Sequence, residues 1–222
     1  MKIYYAKVLE LTGEEQLEVA LRALPDKRLE KIERTKQKKS QLQSISAGLL
    51  LEYALCKLEL SGKNVTFLEY ADGKPYLKEY PNLCYNLSHS GKYVALVVDE
   101  RPVGIDIEQL RRGYQKLVKR FFSEEEVRLF DASWDDELFT KLWTRKESYL
   151  KATGYGMRMP LDGFSTCEDS VQINERMYEE MINKEDIYYL QSFQIEDYWL
   201  SVCRKDIPVD TQPEKVDLKE IL

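Results

Sequence analysis

Three carboxylates, two lysines and a cluster of small polar residues are the side chains whose types and spacing could do chemistry. In VGIDIE, the two-residue period of a strand turns Val103, Ile105 and Ile107 to one side and Asp106 and Glu108 to the other. Two oxygen donors then emerge side by side from an otherwise apolar strand, which suits a metal ion; a half-exposed strand with one wet face reads the same way. In KLWTRKESYLK, Trp143, Glu147 and Lys151 stand four apart and share one helix face. Trp143 can anchor that face while Glu147 and Lys151 point together into a cleft, although the two are equally an ordinary surface pair worth about 0.2–0.5 kcal/mol. A pyrophosphate would draw these groups to one place. Magnesium takes oxygen ligands from a few carboxylates, phosphate oxygens and water, and it neutralises charge on a leaving phosphate. A lysine one turn beyond the third carboxylate would meet the phosphate oxygens that the metal leaves bare.

NLSHSG supplies the remaining polar groups. Asn86, Ser88, His89 and Ser90 interrupt an apolar strand just before Gly91, and His89 is the chain's one histidine. No neighbouring motif has the form of a nucleophile elbow or a triad, so phosphate binding is preferred to nucleophilic catalysis. The turn DGKP sets Lys74 at the end of another strand, where a phosphate contact and a plain turn residue are both open.

Periodicity gives the elements that must position these residues. Ile3 to Leu9 reads as a strand, and helix-favouring segments follow at roughly 14–24, 26–38 and 40–60. The third is the most buried, because Leu42, Ile45, Leu49, Leu50, Tyr53, Leu55 and Leu58 recur at helical spacing. From Val65 the texture changes to VTFLEY, the turn ADGKPY, LCYNLSHS and KYVALVVDE, which read as short strands and turns. Val94, Leu96 and Val98 alternate with Ala95 and Val97, so that strand is apolar on both faces and central. In the second half, Ser123 with Glu126 forms a capping box, and a longer helix runs from about Asp136 to Thr153, closed by Gly154. Short strands near FSTC and VQI, a helix around 175–182 and the paired strands IYYLQSFQIE and YWLSVCRK complete it, and the tail from Ile207 reads as weakly anchored. KYVALVVD and DYWLSVCRK close the two halves alike. The expected architecture is α+β, two similar pseudo-twofold-related lobes (residues 1–103 and 104–205, with a tail at 206–222) and the active site in the cleft between them.

Composition narrows the class. With 222 residues, 43% hydrophobic and 32% charged, the chain can build a substantial core. A formal charge of -6, from 33 basic and 39 acidic residues, argues against a nucleic-acid partner. A local excess of Lys27, Arg28, Lys31, Arg34, Lys36, Lys38 and Lys39 is either a binding site or a solvated helix face. Cys56, Cys84, Cys167 and Cys203 are scattered without a CxxC pair, so neither a zinc cluster nor a disulfide framework is indicated. No signal-like or membrane-spanning apolar run occurs, and the expectation is a soluble cytoplasmic protein with no membrane partner.

NLSHS, VGIDIE and WTRKESYLK, in this order and at this separation, resemble the signature of the Sfp-type 4'-phosphopantetheinyl transferases, and GKP ahead of them matches an upstream motif of that family. LPDKRLEK, KRFFSEEE and PLDGFS are similar fragments elsewhere. The resemblance implies a monomer of two related lobes with coenzyme A between them, whose pantetheine arm moves to a serine of an apo acyl-, peptidyl- or aryl-carrier protein. It implies that Asp106, Glu108 and Glu147 hold Mg2+ on the pyrophosphate. By the same resemblance Lys151 contacts the phosphates, while Gly73, Lys74, Ser88 and His89, helped by Lys27, Lys31 and Ser44, bind coenzyme A. The family commonly has an arginine near that last position, where this chain reads QLQSIS. The acceptor hydroxyl would attack the β-phosphate, with Glu147 taking its proton directly or through a water and Lys151 acting as acid or electrostatic clamp.

Such carriers are acidic around the modified serine. Arg111, Arg112, Lys116, Lys119 and Arg120 in LRRGYQKLVKRFF are therefore the expected steering surface, and the segment from Tyr155 to about Lys184 is a second contact region by the same resemblance. The competing expectations are a non-catalytic coenzyme A or carrier-protein binding module, and another magnesium enzyme that cleaves a nucleotide pyrophosphate.

Overall fold

Strict alternation in KIYYAK gives β1 (Lys2–Lys7) two apolar faces, with Ile3 and Tyr5 on one and Tyr4 and Ala6 on the other. The computed structural model describes residues 1–11, 13–60, 65–70, 73–110, 112–131, 133–174 and 185–222, apart from the side chains of Lys27 and Met157. Within them β1 lies between β5 (Tyr93–Asp99) and β11 (Glu214–Val216), and β4 (Cys84–Ser90) is the far edge of the sheet β11-β1-β5-β4. β5 runs antiparallel to both its neighbours and is buried at every residue, as its doubly apolar sequence predicts. One face of this sheet is covered by α3 (Lys38–Lys57), with α1 (Glu14–Arg22) and α2 (Asp26–Arg34) outside it. Ile45, Leu49, Leu50 and Leu55 of α3 pack with Tyr4, Val94, Leu96 and Val98, at roughly 1.5–3 kcal/mol for each fully buried side chain.

The opposite face, through Ile3, Ala95 and Val97, meets Ile105, Ile107, Leu200 and Val202 of a second, antiparallel sheet. Its order is β6 (Val103–Gln109), β10 (Tyr198–Lys205), β9 (Tyr188–Ile195). α6 (Asp136–Thr153) covers the far side of that sheet. The Asp135 carboxylate caps α6 by accepting from the Glu137 and Leu138 N–H groups at 2.8 and 3.2 Å, and Gly154 ends it in the left-handed conformation with φ 76°. Gly104 lets α6 close on β6, since a Cβ there would sit 2.1 Å from the Ser148 carbonyl oxygen. α4 (Gln115–Phe121) and α5 (Glu124–Asp131) join α6 around Phe122, Phe139 and Trp143. The hairpins β2 (Phe67–Glu69) with β3 (Pro75–Leu77) and β7 (Phe164–Ser165) with β8 (Gln172–Ile173) complete the α+β fold.

The capping box forms as expected: Ser123 N–H donates to Glu126 Oε2 at 2.9 Å and Glu126 N–H to Ser123 Oγ at 3.3 Å. The tail requires a correction. Far from being weakly anchored, it returns across the molecule to pair β11 parallel with β1, and Val216 and Leu218 enter the first core. Two buried residues in a polar context carry too little periodicity to reveal this from sequence. The helix expected around 175–182 lies outside the described residues. No helix among the described residues is long and apolar enough to cross a membrane.

Candidate active site

Because Gly104 faces α6, the strand period turns Asp106 and Glu108 toward α6 as well, and Lys151 meets Asp106 there. Lys151 Nζ lies 2.7 Å from Asp106 Oδ1 and also donates to Ser88 Oγ and the Ile105 carbonyl, both at 3.1 Å. Ser88 Oγ donates to Asp106 Oδ1 at 2.8 Å, and Ser90 Oγ to Glu108 Oε2 at 2.6 Å. Ser88 and Lys151, both expected on substrate phosphates, are thus gathered on the first carboxylate. Asp106 Oδ2 is buried without a hydrogen-bond partner.

Glu147 and Lys151 line a cleft of about 690 Å³ whose walls are otherwise largely apolar, with Phe121, Trp143, Met159 and Leu161 among them. Gly73, Lys74 and Pro75 from the β2–β3 hairpin also line it. Lys74 Nζ donates to the Ala152 carbonyl at 2.8 Å and approaches that of Val103 at 3.4 Å. Its charge therefore sits at the carboxyl end of α6, where a cation is favoured.

A second cavity of about 400 Å³ shares Gly73, Pro75 and Asn86 with the first and is lined by Arg28, Lys31, Ser44 and His89. Lys31, Ser44, Gly73 and His89, four of the residues expected to bind coenzyme A, therefore meet there, and the Lys27 side chain lies outside the described residues. Ser44 Oγ is buried without a partner. Arg28, one turn before Lys31, was not singled out as a site residue; its guanidinium reaches the Ser44 carbonyl at 3.5 Å, and burial lowers its pKa from the usual arginine value. Gly48 makes room for it, since a Cβ there would lie 2.5 Å from Arg28 Cδ. Desolvation, then Lys151 and Lys31, hold the His89 imidazole below its ordinary pKa although the ring keeps an open edge. At neutral pH it is an uncharged hydrogen-bonding group.

Arg112, Lys116, Lys119 and Arg120 are all exposed on or just before α4, whereas Arg111 lies outside the described residues. The apolar residues between them divide: Val118 is in the core, Leu117 packs against it, and half-buried Phe121 lines the cleft. A buried ion pair escaped the sequence reading. Glu126 Oε2 and Lys146 Nζ are 2.7 Å apart with neither side chain exposed, so the capping glutamate also ties α5 to α6.

The three expected metal ligands do not form a closed cage: among the described residues no three Asp, Glu, His or Cys side chains cluster closely enough to hold an ion unaided. Magnesium more often uses one or two carboxylates with substrate phosphates and water. The orphaned Asp106 Oδ2, with Glu108 beside it on β6 and Glu147 at the cleft, fits that open kind of donor set.

Residues 12–101 match the family model "4'-phosphopantetheinyl transferase, N-terminal", and residues 102–203 match "4'-phosphopantetheinyl transferase superfamily". A 4'-phosphopantetheinyl transferase of Bacillus subtilis is 36% identical over 173 residues, 74% of this chain and 75% of that one. The transferase Sfp of Bacillus subtilis strain 168 is 28% identical over 217 residues, 95% of this chain and 96% of its own. The L-aminoadipate-semialdehyde dehydrogenase-phosphopantetheinyl transferase of Homo sapiens is 34% identical over 122 residues, 47% of this chain and 40% of its own. Two models that meet between β5 and β6, and relatives that span nearly the whole chain, agree with the motif order on both sides of the cleft: this chain belongs to the 4'-phosphopantetheinyl transferase superfamily.

Proposed function

We propose that the protein transfers the 4'-phosphopantetheine arm of coenzyme A to a serine hydroxyl of an apo acyl-, peptidyl- or aryl-carrier domain, releasing 3',5'-adenosine bisphosphate. The observation that carries this reading is the pair of joined cavities, one basic and one apolar, meeting at Gly73, Pro75 and Asn86 beside Lys151. A phosphorylated nucleotide suits the first, with Arg28, Lys31, Ser44 and His89 as its donors. The pantetheine arm suits the second. The pyrophosphate between them then lies by Lys151, whose ammonium can leave Asp106 for the phosphate oxygens.

Asp106, Glu108 and Glu147 would hold Mg2+, which when bound supplies charge neutralisation on the pyrophosphate. Glu147 lines the apolar cleft through which the acceptor serine enters, and it takes the hydroxyl proton as the Oγ–phosphorus bond forms. The bond from the β-phosphorus to the bridging oxygen breaks, and the adenosine bisphosphate leaves with that oxygen. Lys151 faces the charge that builds there. Arg112, Lys116, Lys119 and Arg120 steer the acidic carrier toward the same cleft. In this reading residues 1–103 hold the nucleotide end, residues 104–205 hold the metal and carrier sites, and the protein acts as a cytoplasmic monomer.

The test is incubation with coenzyme A, Mg2+ and a panel of apo-carrier domains, each then weighed by intact mass spectrometry. Gain of one phosphopantetheine arm on a carrier is the expected result. Coenzyme A binding with no gain on any carrier would instead favour a non-catalytic binding module, and coenzyme A cleavage without a carrier would favour a hydrolase.

A further inference from the structure

β4 and β6 are edge strands of different sheets, and they meet through side chains rather than through a main-chain ladder. Asn86 Oδ1 accepts from the Ile105 N–H at 3.0 Å, Ser88 Oγ from Ile107 N–H at 3.4 Å and Ser90 Oγ from Gln109 N–H at 3.3 Å. Residues two apart on one strand thus serve residues two apart on the other, in parallel register. The cause is the strand itself: successive N–H groups point to alternate sides, so the set that does not face β10 needs acceptors where β6 is buried. The alternate polar residues of NLSHS supply them.

The two serines do more than accept. Each hydroxyl donates a hydrogen bond to the carboxylate that precedes the N–H it accepts from, Ser88 to Asp106 and Ser90 to Glu108. The first rung carries an amide oxygen instead, and the residue before Ile105 is Gly104, which has no carboxylate to receive a proton. A hydroxyl stands where both an acceptor and a donor are needed.

We propose that Ser90 is a positioning residue that fixes the Glu108 carboxylate by holding Oε2 from one side while its own oxygen is held by the β6 main chain. The proposal rests on the metal reading above, with Glu108 as a ligand. Groups that orient a metal ligand typically contribute 10- to 100-fold in metal affinity. The consequence is specific: loss of the Ser90 hydroxyl should weaken divalent-cation binding without changing the cavity walls, to which Ser90 does not belong.

The test uses the full chain as wild type, Ser90→Ala and Ser90→Thr. Binding of Mn2+ is measured by electron paramagnetic resonance of the free aqueous ion, with and without coenzyme A, and the urea midpoint is measured in parallel. Ser90→Ala should bind Mn2+ about 10- to 100-fold more weakly, and Ser90→Thr, which keeps the hydroxyl, should restore most of the affinity. In a Glu108→Gln background, Ser90→Ala should add little further loss, which separates positioning from a general effect of a weakened seam. Unchanged Mn2+ affinity in Ser90→Ala overturns the proposal. So does full additivity with Glu108→Gln, failure of Ser90→Thr to recover affinity, or a wild-type chain that binds no Mn2+. These readouts concern ion binding alone, so their failure is distinct from failure of the transferase reading, which is the absence of mass gain on every carrier.

Discussion

Lys146→Met should cost about 3–5 kcal/mol of folding stability, the range expected when one partner of a buried ion pair is removed. Lys146 and Glu126 have no exposed side-chain surface, and Nζ lies 2.7 Å from Oε2. The same ammonium donates to the Leu161 and Phe164 carbonyls at 2.7 Å each, so all three of its donors are used. Burial lowers the Lys146 pKa, and Glu126 opposes that shift. Methionine replaces the stem but no donor. Two carbonyls, that of Phe164 buried and that of Leu161 partly so, then lose a partner at about 1 kcal/mol each, and a carboxylate loses its cation at roughly 1.5–3 kcal/mol, which together reach the same range. Glu126 still accepts from Ser123 and Thr166, which keeps the cost from climbing further. Urea unfolding of the full chain measures the change, and at about 2–4 °C per kcal/mol the thermal midpoint should fall by roughly 10 °C. Glu126→Gln combined with Lys146→Met should be less damaging than Lys146→Met alone, because no uncompensated charge stays buried. A loss under about 1 kcal/mol in the single variant would refute the reasoning. Leu161 also lines the apolar cleft, so the variant should raise the KM for coenzyme A even where it remains folded.

Glu147→Gln should lower transfer by about 10²–10⁴-fold, the usual contribution of a general base, with an unchanged urea midpoint; near wild-type turnover would remove Glu147 from the mechanism. His89→Gln should raise the KM for coenzyme A with a smaller effect on kcat than Glu147→Gln. It should also gain stability relative to wild type as pH falls below about 6.5, because the folded imidazole has the lower pKa, the unfolded chain binds more protons there, and wild-type stability declines with falling pH. A pH-independent difference in urea midpoint would contradict that assignment. Arg112→Glu with Lys116→Glu should raise the KM for carrier at low salt and leave coenzyme A affinity unchanged, and the difference should shrink as salt shortens the Debye length to ~8 Å and below. An unchanged carrier KM at low salt would leave these residues as a solvated helix face.

The main elements were legible in the sequence wherever one pattern dominated. β5 is apolar at both phases and is buried at every position, and α6 has a capping aspartate at one end and a left-handed glycine at the other. Glu147 and Lys151 were placed together by helical spacing, and they line one cleft. What stayed hidden depends on contacts between distant segments. The polar cluster Asn86, Ser88, His89 and Ser90 read as phosphate-binding for want of a nucleophile motif, and the sequence did not reveal that Asn86, Ser88 and Ser90 also accept from N–H groups of a strand 19 residues on. Lys146 drew no reading of its own in KLWTRKESYLK, although Leu142, Lys146 and Tyr149 follow the buried helical spacing. Charge composition hides such a residue, because its partner Glu126 is 20 residues away and already had a local explanation as a cap.

The Lys151–Asp106 pair connects the seam to the chemistry. Its members differ in exposure, 28% for the lysine side chain and 7% for the aspartate, so the lysine is the member that can move. On the transferase reading, a phosphate entering between the cavities offers Lys151 an anion with more oxygens than Asp106 Oδ1 provides. If the ammonium turns to it, Asp106 keeps the Ser88 hydroxyl but loses its cation, while Oδ2 already lacks a partner. An unpaired buried carboxylate is costly, and a divalent cation held there would remove that cost. On that reading substrate anion and metal cation would be coupled through one internal ion pair, each making the other's place favourable. The serines of the seam, which donate to the β6 carboxylates, would then keep them in position while the lysine changes partners.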